Sequence, residues 1–386
     1  MAASENNIII SNRAGSRCAR KICEHLSCMG ERFELTDTII EDFNNGEIFV
    51  KLSKNQRNKN IHVFAQFRDN NADARVERIR SYKLPEEETW QHLLEINCPH
   101  ASLMETILMG DAIVRAGSEK IFFYAPFLPY GRQDKKDEGR VPISAKLLLN
   151  QIYSAYGRKL ERILTSTLHA EQEQGFFDGP LDDVQIYSLA AAYLKQKLQL
   201  DPSNICILSP DFGGGPRVKK LQKLMPGATI AFVDKTRISH GVAKSGAIVG
   251  DVKGKIVVEL DDMIDTGGSV TPIIPALQAA GAEMPVYIFV THLVASPKWD
   301  KNEKKVVYAE DTLRKSTAKV ICTDSIPRSD AYLKRNNDWL TMLSITPLYA
   351  DYILCNIEGR SASDLIASYE REATAGTFRL DKYLLF

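Results

Sequence analysis

Apolar residues fall in short unbroken runs, separated by longer stretches whose apolar positions recur three and four apart. The runs "NIII" (7–10), "IHVFAQF" (61–67), "KIFFYAPF" (120–127), "RILTSTL" (162–168), "NICILSP" (204–210), "ATIAFVD" (228–234), "KIVVEL" (255–260) and "PVYIFVTHL" (285–293) predict strands. The stretches 15–26, 99–117, 143–157 and 270–282 predict amphipathic helices between them. Such alternation is the pattern of βα units on a mainly parallel sheet flanked by helices, an α/β class. Two successive sets of units, before and after about residue 165, imply two similar halves, 1–165 and 166–386, with the C-terminal tail able to pack back on the first. No repeat is demonstrable by identity. The charged segment "RDNNADARVERIRSYKLPEEETW" (68–90) breaks the rhythm and reads as an exposed insertion, spanning about 68–96.

Composition adds exclusions. A chain of 386 residues with 44% apolar and 25% charged residues is long enough for two cores of ordinary size. Lys+Arg and Asp+Glu balance at 49 each, so no global field points to nucleic acid or an anionic membrane. No apolar run approaches the roughly 18 residues of a membrane span, and "MAASENNIII" lacks the basic start and long apolar centre of a signal peptide. The seven scattered cysteines have neither CxxC spacing nor a histidine pair, which argues against zinc and for reduced thiols in a cytoplasm.

The most informative stretch is "VVELDDMIDTGGSV" (257–270). Asp261 and Asp262 follow an apolar strand, and two adjacent carboxylates can accept from the neighbouring hydroxyls of a diol. Asp265, Thr266, Gly267, Gly268 and Ser269 then form a turn whose N–H groups and hydroxyls would cradle a phosphate. A helix cap with acidic first-turn residues is the plainer alternative. The pattern resembles the phosphoribosyl-diphosphate loop of the type I phosphoribosyltransferase fold, which by itself leaves open whether the chain makes, consumes or senses that metabolite.

Three further stretches narrow the choice. "ILTSTLHAEQEQGFFDGP" (163–180) puts His169 just after a strand, and "ILSPDFGGGPRVKKL" (207–221) puts Asp211 at another strand end. Both would reach the carboxyl edge of a sheet, where open α/β folds bind ligands, and would suit Mg²⁺ carrying nucleotide phosphates. "YAPFLPYGRQDKKDEGRVPISAK" (124–146) sets Arg132, Gln133 and Asp134 after an aromatic and a glycine, able to bracket adenine or a triphosphate; a solvated loop is the alternative. "FVDKTRISHGVAKSGAIVGDVKGK" (232–255) puts Lys235 and Arg237 on a long polar loop, where two cations could shield a phosphoryl group in the transition state; otherwise they are a surface pair.

Together these stretches resemble the ribose-phosphate pyrophosphokinase family from about residue 8 to about 365, with 68–96 unmatched. The resemblance implies two tandem type I phosphoribosyltransferase-like domains. It implies that Phe43, Asn45 and Glu47 of "FNNGE" contact ATP of a neighbouring subunit in a homo-oligomer, a dimer or hexamer. Arg132, Gln133, Asp134 and His169 would bind ATP, and His169 with Asp211 would hold Mg²⁺. Lys235 and Arg237 would be the catalytic cations, with Asp211 and the 261–269 residues on the sugar phosphate. The reaction implied is diphosphoryl transfer from ATP to the C1 hydroxyl of ribose 5-phosphate, a step of nucleotide biosynthesis, with no nucleic acid or membrane partner. The same diol and anomeric hydroxyl occur in an esterified ribose such as ADP-ribose, the alternative substrate. A non-catalytic regulatory subunit is disfavoured because the loop cations and metal-side residues are all present. Three departures stand out: Thr167 where the family has Asp, Thr236 where it has Arg, and Ser269 where Thr is usual.

Overall fold

All eight expected strands form, and the reason they read as unbroken apolar runs is that their sheets are covered on both faces. The structure, a computed structural model, describes residues 6–68, 70–234 and 247–385. A first sheet has six parallel strands in the spatial order Glu34–Leu35, Asn7–Ser11, Asn60–Phe64, Ile121–Ala125, Leu160–Ser166, Leu181–Val184. A second has seven, in the order Ala247–Val249, Thr229–Asp234, Ile205–Ser209, Ile256–Ile264, Glu283–Leu293, Lys319–Thr323, Leu340–Leu343. Only its edge strand Ala247–Val249 runs antiparallel. The first sheet runs past the expected boundary at 165: the short strand Leu181–Val184 pairs with Leu160–Ser166 before the chain enters the second half.

Alternation along the strands divides the interior into three layers. Ile8 and Ile10 point outward onto helices His100–Arg115 and Ser144–Tyr156, while Ile9 points the opposite way. The layer behind Ile9 is shared. It holds Ile22, Leu26, Val184 and Leu164 from the first half, and Ile207, Leu260, Phe289, Tyr349 and Ile353 from the second. Helices Ser16–Cys28, Gly215–Leu224, Thr346–Ile357 and Ala362–Ala375 contribute to this common layer. The tail therefore returns to the first half: Tyr349 lies edge-on to Phe64 at 5.6 Å and its hydroxyl meets Ser166 Oγ at 2.9 Å. No helix among the described residues is long and apolar enough to cross a membrane.

The charged insertion departs from expectation. It forms two helices, Ala72–Ser81 and Glu86–Asn97, which bind the second half instead of projecting into solvent. Asp73, 4% exposed, lies between two buried arginines, 2.7 Å from Arg68 and 3.2 Å from Arg328, and accepts from Ser329 N at 2.7 Å. Burial alone would raise the Asp73 carboxyl, but the two guanidinium groups hold it below its ordinary range. Farther along, Arg80 stacks on Tyr308 and pairs with Asp311 at 2.6 Å, and Glu86 accepts from Val306 N at 2.7 Å. A run of charges reads as a solvated face; here Arg328, Asp311 and Val306, each more than 200 residues away, add partners to the local ones.

Candidate active site

The strand expected to stop at residue 260 continues to Ile264, so Asp261 and Asp262 belong to it. Asp262 is 3% exposed and is the centre of the site. Its Oδ2 meets His169 Nδ1 at 2.7 Å and its Oδ1 accepts from Arg217 Nη1 at 3.0 Å. The same Nη1 lies 3.4 Å from Asp261 Oδ1, and Arg217 Nη2 donates to the His169 carbonyl at 2.6 Å. One guanidinium thus ties the loop after Leu160–Ser166 to the central strand of the other sheet. Sequence reading passed over Arg217. Its signal was modest: an arginine soon after a glycine-rich turn, at the start of helix Gly215–Leu224, facing two strand acids.

Electrostatics separates the two adjacent acids. Burial would raise both; for Asp262 the bond from His169 and the charge of Arg217 prevail and hold it ionised, whereas Asp261 is raised by burial and by its neighbour's charge. His169 is raised chiefly by its bond to Asp262. Burial pushes the Glu173 carboxyl, which accepts from Ala170 N at 2.9 Å, up to about 7.

His169 is positioned by a strained neighbour. Thr167 has φ 51°, a left-handed backbone unfavourable for a β-branched residue. Its hydroxyl accepts from Thr291 at 2.8 Å, and its carbonyl lies 3.2 Å from Nε2 of His292. The departure at Thr167 therefore fastens the His169 loop to the end of strand Glu283–Leu293.

The turn after the strand carries Asp265, Thr266, Gly267, Gly268 and Ser269. Gly267 has φ 72°, and a β-carbon there would come within 3.3 Å of Leu313, so both conformation and space call for glycine. Gly268 and Ser269 are exposed, leaving their N–H groups open to a ligand. Arg132 Nη1 reaches across from the first half to Asp265 Oδ2 at 2.7 Å, while Asp265 Oδ1 is buried without a partner among the described residues.

The remaining expected residues divide. Gln133 accepts from Ser144 Oγ, and Asp134, 8% exposed, accepts from Gln172 at 2.8 Å, which ties the Arg132 segment to the His169 loop. Asp211 caps its own turn, accepting from Gly214 N at 3.1 Å, and its charge is felt by Arg217. Phe43, Asn45 and Glu47 are not brought to this cluster. They form the tip between strands Thr38–Asp42 and Ile48–Leu52, with Phe43 packed edge-on to Phe49 and Glu47 N donating to Asn45 Oδ1 at 3.1 Å. Lys235, Thr236 and Arg237 lie outside the described residues.

No group of three or more His, Cys, Asp or Glu side chains is arranged around a metal position among the described residues. The donors nonetheless fit a cation that keeps most of its shell as phosphate oxygen and water. Asp262 holds Nδ1 of His169, which leaves Nε2 as the available donor, the usual arrangement of a carboxylate behind a ligating histidine.

Comparison with known proteins matches each half to a described domain. Residues 7–155 match the N-terminal domain of ribose phosphate pyrophosphokinase, and residues 181–322 match the phosphoribosyl transferase domain. The ribose-phosphate pyrophosphokinase of Corynebacterium glutamicum is 34% identical over 96% of this chain and 97% of its own. That of Bifidobacterium longum is 31% identical over 95% and 94%. The crystal structure of phosphoribosylpyrophosphate synthetase from Mycobacterium smegmatis superposes with a TM-score of 0.71 at 31% identity, covering 92% of this chain and 99% of that one. With two acids on a strand, a glycine turn beside them and an arginine–histidine pair joining the halves, the chain belongs to the ribose-phosphate pyrophosphokinase family.

Proposed function

We propose that the protein transfers the diphosphoryl group of ATP to the C1 hydroxyl of ribose 5-phosphate, releasing AMP. The observation that carries this reading is the junction at Asp262. It draws the His169 loop of the nucleotide side and the 261–269 segment of the sugar side into one site through His169 and Arg217. In the reaction the anomeric oxygen forms a bond to the β-phosphorus and the bond from that phosphorus to the α-bridging oxygen breaks. AMP leaves, and the C1 hydroxyl proton passes to solvent. No protein nucleophile is needed; orientation and charge neutralisation lower the barrier.

The residues divide the work by chemistry. Asp261 and Asp262 accept from the ribose diol. The N–H groups and hydroxyls of 265–269 take the 5-phosphate. Arg132, with Gln133 beside it, faces the nucleotide, and Lys235 and Arg237 neutralise charge developing on the transferred group. His169 and Asp211 would hold Mg²⁺, which would supply charge neutralisation on the phosphates. The exposed Phe43 tip, whose hydrogen bonds at Phe43, Asn45 and Glu47 stay within its hairpin among the described residues, suits contact with ATP on a neighbouring copy, so that a homo-oligomer would complete each site.

The test is a sugar panel. Incubation with ATP, Mg²⁺ and either ribose 5-phosphate or ADP-ribose, with products identified by mass, should give AMP and a C1-diphosphorylated ribose 5-phosphate. Release of ADP in place of AMP would refute diphosphoryl transfer; preferential use of ADP-ribose would refute the assigned sugar.

A further inference from the structure

We propose that Lys298 reads the 5-phosphate of the sugar, as a specificity-determining residue beside the glycine turn; this rests on the reading of that turn as the phosphate cradle. The position a β-carbon would take at Gly268 has two polar side-chain atoms near it, Thr266 Oγ1 at 3.4 Å and Lys298 Nζ at 3.9 Å. Outside the chain neighbours of Gly268, no other heavy atom comes within 4 Å of that point. A hydroxyl, an ammonium and the open N–H groups of a glycine turn therefore border one small space, a donor set made for a phosphate monoester.

Lys298 is held there by the fold. It begins the antiparallel hairpin formed by Lys298–Asp300 and Lys305–Val307, in which it pairs with Val307. Two strands alone are marginal in water, and this hairpin is fixed from outside: the Glu86 carboxylate of the insertion accepts from Val306 N at 2.7 Å. The helix that follows, Ala309–Lys315, is gripped by Arg80 through Asp311 and supports Gly267 through Leu313. The insertion thus braces both the turn and the lysine that faces it.

The nearby acids are already engaged. Asp300, whose charge is close enough to interact with Lys298, accepts from Asn302 N at 2.9 Å and Glu303 N at 3.1 Å. Asp265 is paired with Arg132 through Oδ2, and its Oδ1 is buried, with no exposure to the open side of the turn's hydroxyls and N–H groups. Lys298 itself makes no hydrogen bond or ion pair with a carboxylate among the described residues. A phosphate monoester carries a charge near −2 at neutral pH and an esterified phosphate about −1, so a lysine at this point favours a terminal 5-phosphate over one that continues into a larger group.

The experiment uses the full chain with ATP and Mg²⁺, comparing Lys298→Ala, Lys298→Arg and Gly268→Ala, with ribose 5-phosphate and unphosphorylated ribose as acceptors. Lys298→Ala should raise KM for ribose 5-phosphate about 10- to 100-fold, the worth of one charged hydrogen bond, with kcat and KM for ATP within about 3-fold. Activity on ribose should be unchanged, and Lys298→Arg should restore most of the loss. An unchanged KM for ribose 5-phosphate in Lys298→Ala overturns the proposal, as does an equal rise in the KM for ATP, which would mark a merely structural lysine. Gly268→Ala separates the two readings. If it raises KM for ribose 5-phosphate while Lys298→Ala does not, the cradle stands and Lys298 is excluded. If neither variant moves it, the cradle falls as well.

Discussion

Nδ1 of His169 and Oδ2 of Asp262 meet at 2.7 Å, although one follows a strand of the first sheet and the other lies inside a strand of the second. The carboxylate fixes the ring so that Nε2 faces outward. If His169 holds Mg²⁺ as proposed, Asp262→Asn should raise the Mg²⁺ concentration for half-maximal activity about 10- to 100-fold, as removal of a carboxylate behind a ligating histidine generally does. Titration of activity against Mg²⁺ at saturating ATP checks it; an unchanged half-saturation point would overturn the proposed metal role of His169.

Asp73 offers a test of the insertion. Asp73→Asn leaves Arg68 and Arg328 buried without their anion, which should cost about 3–5 kcal/mol in stability. Chemical denaturation read by circular dichroism reports it. An exposed insertion would tolerate the change with no loss.

His62 sets a pH limit on the first half. It stacks 5.0 Å from Phe122, lies 3.0 Å from both Tyr124 OH and Asn7 Oδ1, and is held by burial down at about 3. A depressed histidine contributes stability above its unfolded value near 6.5, and that contribution drains as pH falls toward 3. Between pH 8 and 5 the loss should be about 2 kcal/mol. The fall in thermal midpoint over that range should be shallower in His62→Gln than in the unaltered chain.

The proposed roles of Arg132 and the loop cations predict that binding and chemistry separate. Arg132→Ala removes the guanidinium that now rests on Asp265 and should raise KM for ATP about 10-fold or more, a charged hydrogen bond's worth. The double variant Lys235→Ala, Arg237→Ala should instead lower kcat by about 10²–10⁴ with both KM values within several-fold. Steady-state kinetics in both substrates distinguishes the two patterns, and near-normal turnover of the double variant would end the catalytic assignment.

How much of this was legible depended on the range of the interactions. Runs such as "KIVVEL" announce strands because burial on both faces removes polar positions. The 261–269 segment was legible because its acids, hydroxyls and glycines are consecutive. Short strands with exposed faces, such as Thr38–Asp42 with its partner Ile48–Leu52, carry no such run. Arg217 was overlooked because its value lies in what stands opposite: a helix places it against Asp261 and Asp262, 44 and 45 residues away. Asp73 was misjudged for the same reason, since composition reports charge but never its partner across 255 residues.

The shared middle layer has a consequence for how the chain is made. Ser166, three residues before His169, bonds Tyr349, and helix Thr346–Ile357 fills the space behind Ile9. Chains leave the ribosome from the amino end, and early domains commonly fold while later ones are still being synthesised. Here the first sheet emerges with part of one face waiting for a helix that follows the last strand of the second sheet. Helix Ser16–Cys28 covers part of that inner surface early through Ile22 and Leu26, but the part that takes Tyr349 and Ile353 stays open until the second half has been made, so a ribosome that stalls before residue 346 leaves a nascent chain with that part uncovered.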